Sequence, residues 1–203
     1  MADELKTDDE RSEELKAWWR ENGTSVAVGV AVAVAGVFGF QQWKQYNLDQ
    51  AETASALFQK ATIATTDKVK ALNFVTSEYS STPYAALAAL ASAAETSQTD
   101  PAATIASLKV ALDAKDKNVA DIATLRLARV YIAEGKLSEA ESLLDTGLAV
   151  AYTSLVEEIK GDLFVAKKDL DKARTAYDKA ISSADGTSVQ YLQMKRDNLG
   201  KGA

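Results

Sequence analysis

Between Asn22 and Trp43 the chain carries no charged residue, and Val26 to Phe40 holds only Val, Ala, Gly and Phe. A helix rises about 1.5 Å per residue, so roughly 20 such residues cover the ~30 Å hydrocarbon layer of a bilayer. The apolar character runs all round the helix, unlike the one-faced pattern of a helix on a soluble core. Trp18 and Trp19 precede the stretch and Trp43 and Tyr46 follow it, where amphipathic rings favour the headgroup level. The pattern predicts one transmembrane helix over 21–43. Ala33-Val34-Ala35 has the small-x-small form of a cleavage site, but a cleaved leader needs a basic front. Residues 1–21 hold eight acids and four bases, so an uncleaved anchor is expected.

After Trp43 a helical period continues through Leu48, Ala51, Ser55, Phe58 and Thr62. Thr65, Thr66 and Asp67 read as a break and an N-cap before a short helix containing Leu72, Phe74, Val75 and Tyr79. Pro83 and Pro101 stand where new helices begin, because a first-turn residue needs no amide hydrogen. The helix from Pro83 is Ala-rich to Ala94, and that from Pro101 runs to about Leu112. No strand alternation follows the anchor.

The pattern then repeats. Gly135-Lys136-Leu137-Ser138-Glu139-Ala140 is echoed 33 residues later by Lys168-Asp169-Leu170-Asp171-Lys172-Ala173. The same offset relates Tyr131 to Phe164, Leu144 to Tyr177 and Gly147 to Ala180. An offset of 36 relates Leu108, Ala111 and Leu112 to Leu144, Gly147 and Leu148. This period, with two helices per unit, is that of a tetratricopeptide repeat. Leu127, Ala128 and Tyr131 would pack from a first helix onto Ala140 and Leu144 of a second, and Gly135 can take the positive φ that closes a helix. The large aromatic usual early in the first helix is replaced by Thr124 and Glu157.

The predicted fold is all-α: a single N-terminal transmembrane helix followed by a tetratricopeptide-repeat-like helical solenoid. Its parts are an acidic tail (1–20), the anchor (21–43) and a helical domain (44–203). That domain comprises N-terminal helices (44–80), about three repeats (81–187) and a capping helix (187–199) with a polar outer face. Residues 1–15 are polar and acidic and are expected to be disordered until bound.

Charge adds an orientation. Lys6, Arg11, Lys16 and Arg20 precede the anchor, whereas only Lys44 and Lys60 follow over a similar distance. The positive-inside bias puts the N-terminus inside and residues 44–203 on the far side. Of the chain's 23 bases and 29 acids, 19 and 21 fall in that domain. No basic stripe emerges, and nucleic acid is not an expected partner.

Composition also removes most chemistry. With neither His nor Cys, the chain builds no Ser-His-Asp or Cys-His arrangement and no imidazole or thiolate zinc site. Acids such as Asp169 and Asp171 sit at solvent-face spacing, and the ten glycines are dispersed rather than gathered into a phosphate-binding loop. No catalytic, cofactor-binding or metal-binding residue is assigned. An enzyme is the weakest reading, and no small-molecule substrate is expected.

Two surfaces remain as candidates for protein binding. Ala27, Ala31, Ala35 and Gly39 recur every four residues in the anchor, and small residues let helices approach closely in lipid. The other surface is the groove that first helices line in such repeats. It would draw Ile122, Leu125, Arg126, Arg129 and Ile132 from one repeat and Leu155, Glu158, Asp162 and Val165 from the next. A mixed surface of that kind suits a protein segment. Packing of Leu125 and Ile132 on a neighbouring repeat is the competing expectation.

Several stretches carry a family resemblance. They are Glu21-Asn22-Gly23 with Val26-Ala27-Val28-Gly29-Val30, Leu125-Arg126-Leu127-Ala128-Arg129-Val130, and Gln193-Met194-Lys195 with Asn198-Leu199. From about Trp18 to Leu199 the chain resembles the YfgM family, ancillary subunits of the bacterial SecYEG translocon. The resemblance implies a single-pass protein of the inner membrane with a cytoplasmic N-terminus and a periplasmic repeat domain. It also implies association with SecYEG and with the membrane-anchored prolyl isomerase PpiD, in a chaperone-linked role in export. It brings no catalytic residue.

The leading reading is an anchored adaptor that holds partners beside the export channel. A periplasmic holdase binding unfolded exported chains is an alternative, as is a regulator acting through its cytoplasmic tail.

Overall fold

The computed structural model describes residues 8–200, whose regular structure is entirely helical. They fall into two compact units divided after Asp49.

The first unit is the long N-terminal part of α1 (Asp8–Thr62). Its first turn holds Asp8, Asp9 and Glu10, acids that complement the partial positive charge of a helix N-terminus. Lys16 pairs with Glu13 at 2.7 Å, one turn apart. Residues 8–15 are therefore helical, which corrects the disorder expected of the acidic tail; residues 1–7 lie outside the described residues. The apolar window of α1 is wholly unburied, as contact with lipid requires and a soluble core would not allow. Trp18, Trp19, Trp43 and Tyr46 flank it and are exposed.

The second unit begins with the last turns of α1. Ala54 and Ala61 pack with Leu72 and Val75 of α2 (Lys68–Glu78) and with Ala88 of α3 (Pro83–Thr96). Phe58 meets Tyr84 with ring centroids 6.1 Å apart. Asp67 precedes α2 as expected but does not cap it with its side chain. Its backbone is left-handed, at φ 54°, whereas a capping side chain reaches the first-turn amides from extended backbone.

Three helical pairs follow. They are α3 with α4 (Pro101–Leu112), α5 (Lys117–Ala133) with α6 (Leu137–Leu144), and α7 (Thr153–Ala166) with α8 (Leu170–Ser182). A single 3₁₀ turn, Val150–Tyr152, leads into α7, and α9 (Ser188–Asp197) closes the array. Aspartates start several of these helices: Asp100, Asp116 and Asp169 accept from the amides of Ala103, Asn118 and Lys172. Pro83 and Pro101 each occupy a first turn.

One core runs through the pairs, from Ala89 and Leu90 to Ile159 and Leu163. Leu127, Ala128, Tyr131, Ala140 and Leu144 are all buried in it, where the period places them. The repeat also governs how helices end. Gly135 and Lys168, 33 residues apart, are both left-handed, at φ 71° and 62°. The amide of Lys136 bonds to the Tyr131 carbonyl at 2.8 Å, and that of Asp169 to the Phe164 carbonyl at 2.9 Å. Both are the bond that closes a helix on a left-handed residue. Hydroxyls also join helices here: buried Thr96 of α3 and Thr104 of α4 lie 2.8 Å apart, and Ser92 of α3 donates to Asn73 of α2 at 2.7 Å.

Candidate functional site

The first helices α5 and α7 and the closing helix α9 are joined by a ladder of charge. Arg129 on α5 reaches Glu158 on α7 at 3.6 Å. Glu158 also accepts from Lys195 of α9 at 2.9 Å, and Lys195 pairs with Asp162 at 2.6 Å. Glu158 and Asp162 are one helical turn apart, so both carboxylates face the same way. The Tyr177 hydroxyl of α8 donates to Asp162 at 2.6 Å, and the Lys195 ammonium lies 5.5 Å from the Tyr177 ring centre. Glu158 and Asp162 of α7 and Tyr177 of α8 thus form an ammonium-sized socket that Lys195 of α9 fills.

The environment tunes these groups. Burial would by itself lower the Lys195 pKa, but its hydrogen bonds to Asp162 and Glu158 outweigh this and raise it above 10.5. Burial, with the hydrogen bond to Asp162, raises that of Tyr177 above 10.0. Both side chains keep their protons at physiological pH, so the Lys195 ammonium lies charged beside Glu158 and Asp162.

The structure corrects part of the expected groove. Leu125 is only 3% exposed and belongs to the core, because neighbouring first helices stack closely enough to bury that position. Ile122 and Ile132 are half-buried against the same core. Arg126 is exposed and donates to the Leu90 carbonyl of α3 at 3.4 Å. Leu155 and Val165 are each 38% exposed at opposite ends of α7. Glu158 and Asp162 are engaged within the chain. The exposed part of this face is Leu155 and Val165 with Arg126 and Arg129, each arginine also holding one contact within the chain.

The other candidate surface lies on α1. Ala27, Ala31, Ala35 and Gly39 are exposed, and nothing lies within 4 Å of where side chains at Gly29, Gly36 or Gly39 would begin. Each step of four residues turns a helix by about 40° beyond a full revolution, so the four positions form a gently curving stripe.

Comparison with known proteins covers both surfaces. The family described as a tetratricopeptide repeat-like domain matches residues 16–201. A protein of Escherichia coli K12 is 30% identical over 203 residues, covering 96% of this chain and 97% of its own length. One of Haemophilus influenzae is 31% identical, covering 92% and 94%. One of Aggregatibacter actinomycetemcomitans is 29% identical, covering 91% and 94%. Each is named an ancillary SecYEG translocon subunit.

The chain belongs to the YfgM family. No solved structure matches it.

Within this YfgM-family fold, sequence reasoning missed three members of the socket: Lys195, Tyr177 as a hydroxyl donor, and Tyr191, whose ring centre is 5.3 Å from the Lys195 ammonium. Residues 187–199 read as a polar cap, and nothing local ties Lys195 to acids 33 and 37 positions earlier. One signal was present. Glu158 and Asp162 are acids at i and i+4 on a half-buried helix, a pair that needs a cation close by.

Proposed function

We propose that this protein is an inner-membrane adaptor at the Sec translocon, which links export to periplasmic chaperones by protein–protein binding. The anchor would dock laterally through the Ala27–Gly39 stripe. Residues 1–20 would lie in the cytoplasm and residues 44–203 in the periplasm, where the repeats bring in partners such as the membrane-anchored prolyl isomerase PpiD. Its role is to hold proteins together, with no reaction of its own. The observation that carries this reading is that likeness to proteins named ancillary SecYEG translocon subunits runs through the apolar helix as well as the repeats. A repeat domain merely shared with other solenoids would not extend into the anchor.

Photo-crosslinking residues at Ala31 and at Leu155, in intact membranes, test it. Ala31 should capture a translocon subunit, and Leu155 one or two defined proteins, a chaperone among them. Many exported chains captured at Leu155 would favour a holdase. No translocon adduct from any face of the anchor would exclude the adaptor. Protease added to the outer side of opened cells should digest residues beyond about 45, following the positive-inside bias; digestion before Trp18 would reverse the orientation.

A further inference from the structure

Helix α9 is held to the last repeat by one fully buried apolar side chain and a set of ion pairs. Among the described residues of α9, Leu192 is the one buried apolar side chain. Val189 is half-buried, and Tyr191 and Met194 are each about half exposed. Against this thin apolar hold stand Lys195 on Glu158 and Asp162, and Arg196 on Asp178 at 3.1 Å. Arg174 of α8 also donates to the Gly200 carbonyl just past α9. The connection from α8 passes through Gly186, in the left-handed conformation at φ 57°. The Arg196 pair is the more exposed and is screened by salt, whereas the Lys195 pairs are largely enclosed. A competitor must therefore bring a cation of its own to Glu158 and Asp162.

We propose that α9 is a displaceable internal ligand, and that the Glu158–Asp162–Tyr177 socket accepts a lysine-bearing amphipathic helix of a partner protein in its place. The occupant shows the chemistry required. Leu192 enters the apolar seam and Lys195, three residues on, fills the socket from the same helical face. Tyr191, one turn before Lys195, lays its ring beside the ammonium. Arg129, already against Glu158, limits the socket to one further cation, so a helix with a single well-placed lysine fits better than a polybasic segment. The apolar contact sets depth, and the two carboxylates set register.

This deepens the adaptor reading by stating what kind of segment the repeats take, and it rests on that reading only for its purpose in the cell. The test needs no translocon, so the two can fail separately. The full chain is placed in detergent micelles, and a fluorescent peptide of residues 186–200 is added in trans. Lys195→Glu sets like charges against Glu158 and Asp162 and should eject α9. The peptide should then bind this variant at least about tenfold more tightly than wild type, whose socket is mostly occupied. Adding Glu158→Gln and Asp162→Asn should abolish that binding. Equal binding to wild type and variant, or no binding to a folded variant, overturns the proposal.

Hydrogen exchange on the wild-type chain decides the matter should the variant fail to fold. Amides of α9 should exchange at least about tenfold faster than those of α8, since local opening needs less than global unfolding. The gap should widen in about 0.5 M NaCl, where the more exposed Arg196–Asp178 pair is screened. Equal protection of α8 and α9 at both salt concentrations overturns the proposal independently.

Discussion

Tyr177 packs on Gly161 so closely that a methyl group on that glycine would stand 2.3 Å from the ring carbon Cε1. The preceding repeat solves the same contact with other sizes. Ala128 stands 33 residues before Gly161, and Leu144 stands 33 before Tyr177. The large ring demands the missing Cβ, and the smaller leucine tolerates one.

Gly161→Ala should therefore destabilise the repeat domain despite the better helix propensity of alanine. Overpacking costs roughly 1–3 kcal/mol, against about 1 kcal/mol gained by replacing a helical glycine. Adding Tyr177→Leu should recover part of the loss by recreating the Ala128–Leu144 arrangement. Denaturant titration of both single variants and the double variant measures the coupling. Purely additive losses would show that ring and glycine do not compete for space.

Gly135 and Lys168 offer a second comparison between repeats. Both are left-handed, a conformation that costs a residue with a Cβ about 1–2 kcal/mol. Gly135→Ala should destabilise by roughly that amount, whereas Lys168→Gly should stabilise slightly or be neutral. Thermal melting should drop for Gly135→Ala and hold or rise for Lys168→Gly. A loss at Lys168→Gly would mean that the lysine side chain holds more than the backbone shows.

Alkaline pH probes the socket. Lys195 and Tyr177 both have pKa values raised above their ordinary 10.5 and 10.0, so the folded chain holds these protons more tightly than the unfolded one. Their contribution to stability is complete below those ordinary values and is lost as pH rises through the folded ones. Stability should stay level to about pH 10 and then fall, and Lys195→Met should flatten the fall. An identical alkaline slope in wild type and Lys195→Met would remove Lys195 from the account.

The anchor provides the last prediction. Ala31→Leu with Ala35→Leu should weaken co-purification of membrane partners while insertion stays normal, because bulk on a small-residue face blocks close helix approach. Bulky changes at Val28 and Val32, off the stripe, should do less. Equal effects from the two faces would make α1 a plain anchor.

Much of the fold was legible along the chain because it rests on short-range rules. Pro83 and Pro101 start helices, Gly135 ends one, and Leu127, Ala140 and Leu144 are buried where the period puts them. The groove was legible only in part. Period assigns a residue to a helix face, but how closely the next helix stacks decides whether that face is open, and at Leu125 the stacking closes it.

The sequence by itself determined the apolar helix, its flanking aromatics, the helical pairs and the family, since each follows from composition or spacing over a few dozen residues. Tertiary structure decided what Glu158 and Asp162 face. Their partner Lys195 lies 33 and 37 residues away on another helix, and no local period encodes that distance. The same holds for Gly161. Its spacing marks a small position, but only the placement of the Tyr177 ring makes it one where even a methyl group is too large.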